Sequence, residues 1–380
     1  MAMERLFHLM SEKGASDMFL AVGSPVHIKI NGLTIPINQQ RLDNTRIRSL
    51  LNEVITPERM VELENTNELN IGLPVTGVGS FRLSAFRQRG SFSAVIRYIP
   101  SDIPALSSLG VPEALSSLIL EKRGLILMVG ATGSGKSTSL AAMLDYRNEQ
   151  MPGHILTIED PIEYVFRNKK SIINQREIGS DAASLQIALK NALRQAPDCI
   201  LIGEIRDRET MTAALAYAQS GHLCLATLHA NNSYHALNRI LSFYPLESRN
   251  ALLADMSSSL KAIISQRLLR AKRGGRVPAA EIMINSRHVS ELIEQGDING
   301  IKAAMEKSLA PGSLTFEQSL AQLIRDEMVS QEEALAHSDS PTNLLWVLEN
   351  NFVASAHLPP EPVIEETPTG PSFSEFTLEM

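Results

Sequence analysis

Four short apolar runs, LILMVG, HILTIED, CILIGE and HLCLATLH, punctuate residues 113–270, with helical stretches between them. Continuous apolar runs bounded by turns fit parallel strands covered on both faces, so this part predicts an α/β core. Upstream, residues 1–99 read as a smaller α/β unit. MERLFHLMSEKG puts Leu6, Phe7, Leu9 and Met10 on one helical face and ends at Gly14. HIKINGLTIPI predicts two strands about Asn31-Gly32, a hairpin signal, and FRLSAFRQ and FSAVIRYI a second pair. PSDIPALSSLGVP, with Pro100, Pro104 and Pro112, reads as an interdomain linker over 100–112. Residues 271–350 read as helical, with loop signals at Gly274-Gly275, Gly296 and Pro311-Gly312. The stretch 351–380 carries five prolines and five glutamates from Ala354 onward, with no Lys or Arg, and is expected to be disordered.

Composition changes this picture little but excludes some functions. At 380 residues the chain is too long for one comfortable core. Its 35 Lys and Arg against 42 Asp and Glu leave a net charge of −7, which argues against gripping nucleic acid as the main work. The two cysteines, Cys199 and Cys224, lie in apolar runs and form no CxxC pair, so buried thiols are expected rather than a zinc knuckle or a disulfide framework. The opening MAMERLFHLMSEKGASDMFLAV scatters charges through its apolar positions, and no apolar run approaches a membrane span. The expectation is a cytosolic protein with at most peripheral membrane contact.

The chemistry starts where LILMV meets GATGSGKST, residues 130–138. Gly130, Gly135, Lys136 and Ser137 satisfy G-x-x-x-x-G-K-[ST], preceded by a strand-like run and followed by a helix, as the phosphate loop requires. Gly130, Ala131, Thr132, Gly133, Ser134 and Gly135 can aim successive backbone N–H groups inward at phosphate oxygens. The helix start at Ser137 and Thr138 adds its positive dipole end. Lys136 is expected to reach the β- and γ-phosphates of ATP, and the Ser137 hydroxyl to ligate Mg²⁺.

Ligands in parallel sheets bind outside the carboxyl ends of the strands, and three further runs end in suitable groups. HILTI leads into Glu159, Asp160 and Glu163; CILIG into Glu204; HLCLATL into His229. Glu204 stands where an acid holds Mg²⁺ directly or through water. Glu163 and Glu159 compete for the base that orients the attacking water. His229, with His222, is a candidate γ-phosphate sensor. Charge that develops on the γ-oxygens calls for an arginine from outside the loop. Arg82 and Arg97 on the second strand pair are candidates, with Arg87 and Arg89 near its turn. Arg194, in LRQAPD, is another.

GATGSGKST, HILTIEDPIEY, LRQAPDCILIGEIRDRET and GHLCLATLHANN, in this order, resemble the hexameric ATPases of secretion and pilus systems. The closest group is the type IV pilus retraction ATPases of the PilT/PilU kind, and the likeness runs from ASDMFLAVG to about Asn350. It implies a PAS-like N-terminal domain, a RecA-like P-loop domain with a helical C-terminal part, and a six-membered ring with ATP in each interdomain cleft. It carries the catalytic glutamate to Glu163, the Walker B glutamate to Glu204, the histidine box to His222 and His229, and the N-terminal arginines to Arg82 and Arg97. No tetracysteine insert is present, which favours retraction over extension. LHANN and the acidic proline-rich tail resemble the PilU type, and SRHVSELI at 286–293 departs from the AIRNLI motif of principal retraction motors; together they imply an accessory motor working with a PilT-type ATPase on an inner-membrane platform protein. Met18-Phe19 departs from the histidine common after Ser-Asp. The alternative on the same fold is an ATPase that translocates DNA or protein.

Overall fold

The computed structural model describes residues 2–30, 32–99, 102–307 and 310–350. The expectation of disorder for 351–380 lies outside them, as do Asn31 of the hairpin turn and Pro100 of the linker.

The first sheet comprises β1 (Asp17–Leu20), β2 (His27–Ile30), β3 (Leu33–Pro36), β4 (Glu68–Val75), β5 (Gly79–Gln88) and β6 (Ser91–Ile99), antiparallel in the order β3-β2-β1-β6-β5-β4. Its strands alternate as a half-covered sheet should. Phe81, Leu83 and Ala85 of β5 and Phe92, Ala94 and Ile96 of β6 point to one face and are buried. Helices Ala2–Glu12, Asn44–Asn52 and Pro57–Thr66 supply the apolar groups that cover it. Phe7 stacks on Phe81 with ring centroids 4.3 Å apart. The helix Ala2–Glu12 buries Met3, Phe7 and Met10, whereas Leu6 and Leu9 are only half-buried. The predicted face was therefore rotated; the i, i+4, i+7 spacing of the three buried residues is the stripe that meets the sheet. The opposite face is mixed, with Phe19, Phe86 and Val95 half-buried among polar groups. Across it Asp17, Arg97, Arg82 and Gly72 fall in one cross-strand row of β1, β6, β5 and β4.

The second sheet holds β7 (Gly124–Val129), β8 (Gly153–Glu159), β9 (Ser171–Glu177), β10 (Cys199–Ile202), β11 (Leu223–Leu228), β12 (Leu260–Arg270) and β13 (Arg276–Ile284), in the order β13-β12-β7-β11-β10-β8-β9. All neighbours run parallel except the β12–β13 pair. Every residue of β7 and β10 is buried, because helices cover both faces. Leu125, Leu127 and Val129 join one apolar cluster, and Ile126 and Met128 the other. Cys199 and Cys224 are buried free thiols, and burial pushes the Cys199 pKa up to about 12. Leu106 of the proline-rich stretch is buried, and Ile103, Leu109 and Val111 pack against the same cluster, so this stretch lies along the core.

The α/β class stands, but the segment 271–350 is not helical throughout. It opens with β13 and becomes helical only from Arg287. Pro278 sits in β13 without breaking the sheet because β13 is an edge strand. The runs named from sequence omitted β1, β4, β9, β12 and β13. Among the described residues no helix is long and apolar enough to cross a membrane.

Candidate nucleotide site

The turn after β7 is shaped by two glycines that admit nothing larger. A Cβ on Gly130 would lie 2.5 Å from Ser134 Oγ and 2.6 Å from the Gln266 carbonyl oxygen. On Gly135, at φ +88°, it would lie 2.6 Å from Gln266 Nε2. The turn then enters the helix Lys136–Gln150, whose first N–H groups face the cleft beyond β7. Lys136 is buried and its Nζ donates to the carbonyls of Gly130 at 2.8 Å and Ala131 at 2.9 Å. Burial lowers the Lys136 pKa, opposed by the nearby carboxylates of Glu204 and Glu163. Those two acids therefore share the electrostatic neighbourhood of the loop lysine. Thr138 Oγ1 lies 2.8 Å from the Tyr164 hydroxyl.

A cleft of about 530 Å³ opens over this turn. Thr132, Gly133 and Gly135–Thr138 form its floor, and Glu159, Glu163, Glu204 and His229 its wall. Each acid comes from the carboxyl end of a parallel strand or the loop beyond it. The acids are not equivalent. Glu159 is turned inward: Thr157 Oγ1 donates to it at 2.6 Å, Gln175 Nε2 at 3.2 Å, and the Glu163 backbone N–H as well. Burial raises its pKa. Glu163 is exposed to the cleft. Glu204 accepts from Arg206 Nε at 2.6 Å, and its other oxygen lies 3.3 Å from His229 Nε2.

The far wall comes from the first sheet. Arg97 lines the cleft with 63% of its side chain exposed, and its Nε donates to the buried Asp17 at 2.9 Å. Arg82, its cross-strand partner, is half-buried on the same face but does not line the cleft. The two sheets also meet at Glu177 of β9. Its carboxylate accepts from the Ile162 N–H at 3.0 Å, and a Cβ on Gly72 would lie 3.2 Å from it.

Two expected site residues are elsewhere. His222 precedes β11 and His229 follows it, so they stand at opposite ends of a strand about 20 Å long. Only the carboxyl end reaches the cleft; His222 Nδ1 instead lies 3.0 Å from Ser220 Oγ. Arg194 is exposed in the turn Leu193–Gln195 ahead of β10, again at the amino end of a strand and away from the cleft.

The sequence reading missed Arg206, two residues beyond Glu204, and Gln266 on β12. Gln266 is buried, donates from Nε2 to the Ser134 carbonyl at 2.9 Å and accepts from Ser139 Oγ at 2.7 Å. It props the loop from below. Gln266→Ala strands two buried polar groups and is expected to cost about 1–3 kcal/mol, read as a lower urea midpoint. A midpoint equal to the parent would mean water replaces the amide. The chemistry of the cleft fits a magnesium nucleotide. It offers backbone donors at a helix start, a buried lysine, and hard oxygen ligands in the Ser137 hydroxyl and the Glu204 carboxylate. Ser134 Oγ, buried in the turn without a partner, leaves one polar atom there unused.

The chain is similar to known proteins over most of its length. A family model described as Type II/IV secretion system protein matches residues 4–333. The chain is 45% identical over 350 residues to the type IV pilus ATPase PilU of Pseudomonas aeruginosa, covering 92% of each. To that organism's type IV pilus retraction ATPase PilT it is 37% identical over 343 residues, covering 90% of this chain and all of the other. A crystal structure of the pilus retraction motor PilT with bound ADP matches with a TM-score of 0.84 at 38% identity, over 90% of this chain and 98% of that one.

Proposed function

The chain belongs to the type II/IV secretion system protein family, and on that premise we propose that it is an ATP-hydrolysing motor of type IV pilus retraction. The observation that carries this reading is the meeting of Lys136, Glu163 and Glu204 in one cleft whose opposite wall presents Arg97 from the other sheet. Lys136 faces the β- and γ-phosphates. Ser137 and Glu204 would hold Mg²⁺, which would screen the charge of the phosphates. Glu163, free toward the cleft, orients the attacking water, while Glu159 is occupied in holding the Glu163 backbone. Arg97 meets the negative charge that spreads over the γ-oxygens, with Arg82 beside it in the same row. His229, against Glu204, registers whether the γ-phosphate is present.

The likeness to PilU and PilT supports the wider assignment. Six copies form the ring, a PilT-type ATPase works beside it, and both act on the inner-membrane platform of the pilus from its cytoplasmic face. Phosphate release from ATP and Mg²⁺ by the purified chain, with and without a PilT-type partner, tests the chemistry. Retraction speed in cells lacking the chain tests the role. Hydrolysis absent under both conditions, or retraction unchanged at every load, would overturn the reading.

Asp17 fixes Arg97, so Asp17→Ala should lower kcat on the order of 10- to 100-fold with little change in KM, through misplacement of the guanidinium. An unchanged kcat would return Arg97 to an exposed sheet face.

A further inference from the structure

The loop beyond His229 ends in a charged cluster that hydrolysis leaves unused. Three successive residues of this loop are bonded to groups outside it. The Asn231 carbonyl accepts from Arg267 Nη2 at 3.1 Å. Asn232, buried, donates from Nδ2 to Asp339 at 2.9 Å while its own oxygen caps the helix Ser233–Ser242 by accepting from His235 N at 3.0 Å. Ser233 donates from both N and Oγ to the buried Glu281, each at 2.7 Å.

Asp339 is the hub. It lies between the helices Gln331–His337 and Pro341–Glu349, and its second oxygen accepts from Arg267 Nη2 at 2.5 Å. Arg267 also donates to the His337 carbonyl and lies 3.9 Å above the Phe316 ring. Next to it along β12 are Gln266, which props the phosphate loop, and Leu268, which lines the cleft. Alternation sends Arg267 to the other side of the strand, toward the C-terminal helices. One strand thus touches the nucleotide turn with one face and the C-terminal part with the other.

This arrangement is a costly way to gain stability. Burial raises the Glu281 pKa, the nearby carboxylates of Asp339 and Glu317 add to it, and Arg267 is the cation bonded to Asp339. The Arg267–Asp339 pair is partly exposed and a pair so placed adds little stability, but a satisfied polar network fixes a single geometry. The geometry fixed here is that of residues 230–232, which directly follow the histidine facing Glu204.

We propose that Arg267 and Asp339 are positioning residues for nucleotide discrimination: by clamping the loop after His229 to the C-terminal helices, they hold His229 where it distinguishes ATP from ADP. This rests on the reading of the cleft as an ATPase site. The test is binding of ADP and of a non-hydrolysable ATP analogue, each with Mg²⁺, to the full chain. Asp339→Ala should weaken the analogue about tenfold and leave ADP unchanged, and His229→Ala should do the same. The double variant should lose no more than either single one, because both remove the same contact. Asp339→Asn, matched in volume, should shift in the same direction by less and carries the cycle if the alanine variant does not fold. Losses that multiply, or equal weakening of ADP and the analogue, would overturn the clamp while leaving the ATPase assignment intact. Failure of the parent chain to bind either nucleotide would overturn the assignment and the clamp together.

Discussion

Glu163→Gln should hold ATP with undiminished affinity and turn it over about 10²- to 10⁴-fold more slowly. The amide keeps the shape of the side chain but cannot accept the proton of the attacking water as a carboxylate does. Binding is spared because the proposed phosphate cradle is the turn 130–138 and not the loop that carries Glu163. Folding is spared because Glu163 is exposed and its backbone N–H, which donates to Glu159, is unchanged by the substitution. The measurement is a nucleotide titration alongside single-turnover hydrolysis. Turnover at the parent rate would shift the base to Glu159. That residue's inward hydrogen bonds and raised pKa argue against it, so the same substitution there should be felt mainly as altered packing.

Lys136→Ala should abolish useful affinity for ATP. The ammonium is expected to make charged hydrogen bonds to two phosphates, so its loss is on the order of 10²- to 10⁴-fold in Kd. The variant should still fold. The side chain enters no apolar cluster, and of the two residues whose carbonyls it leaves, Ala131 is exposed and Gly130 borders the open hollow beside His229. The contrast between the two variants is diagnostic: one binds without turnover, the other does neither. Equal Kd values for Lys136→Ala and the parent, by calorimetry or a fluorescent nucleotide, would remove the phosphate loop from the account.

Much of the site was legible because its parts obey local rules. A parallel strand covered on both faces must be an unbroken apolar run, and whatever follows it in sequence lands at the cleft. That reasoning brought Glu159, Glu163, Glu204 and His229 to one wall. It failed for His222 and Arg194 because closeness to a strand in sequence does not say which end of the strand is meant. β12 and β13 escaped notice for a different reason. Their buried positions include Ser265, Gln266 and Glu281, polar groups that are satisfied only by partners distant in sequence. An apolar count cannot see a glutamine whose environment is a phosphate loop 132 residues away. Arg206 carries no periodic signal at all, and its place against Glu204 comes from the turn after β10. Arg97 could be named from alternation, but its nearness to the second sheet belongs to tertiary structure alone.

Glu177 links the two walls of the cleft. It holds the loop that carries Glu163 through Ile162, and it abuts Gly72, the last member of the row that contains Arg97. The loop that carries Glu163 and the sheet that carries Arg97 thus meet at the same carboxylate. A change at this one side chain would therefore be felt on both sides of the cleft, because Glu177→Ala removes the acceptor of the Ile162 N–H and the neighbour of Gly72 together.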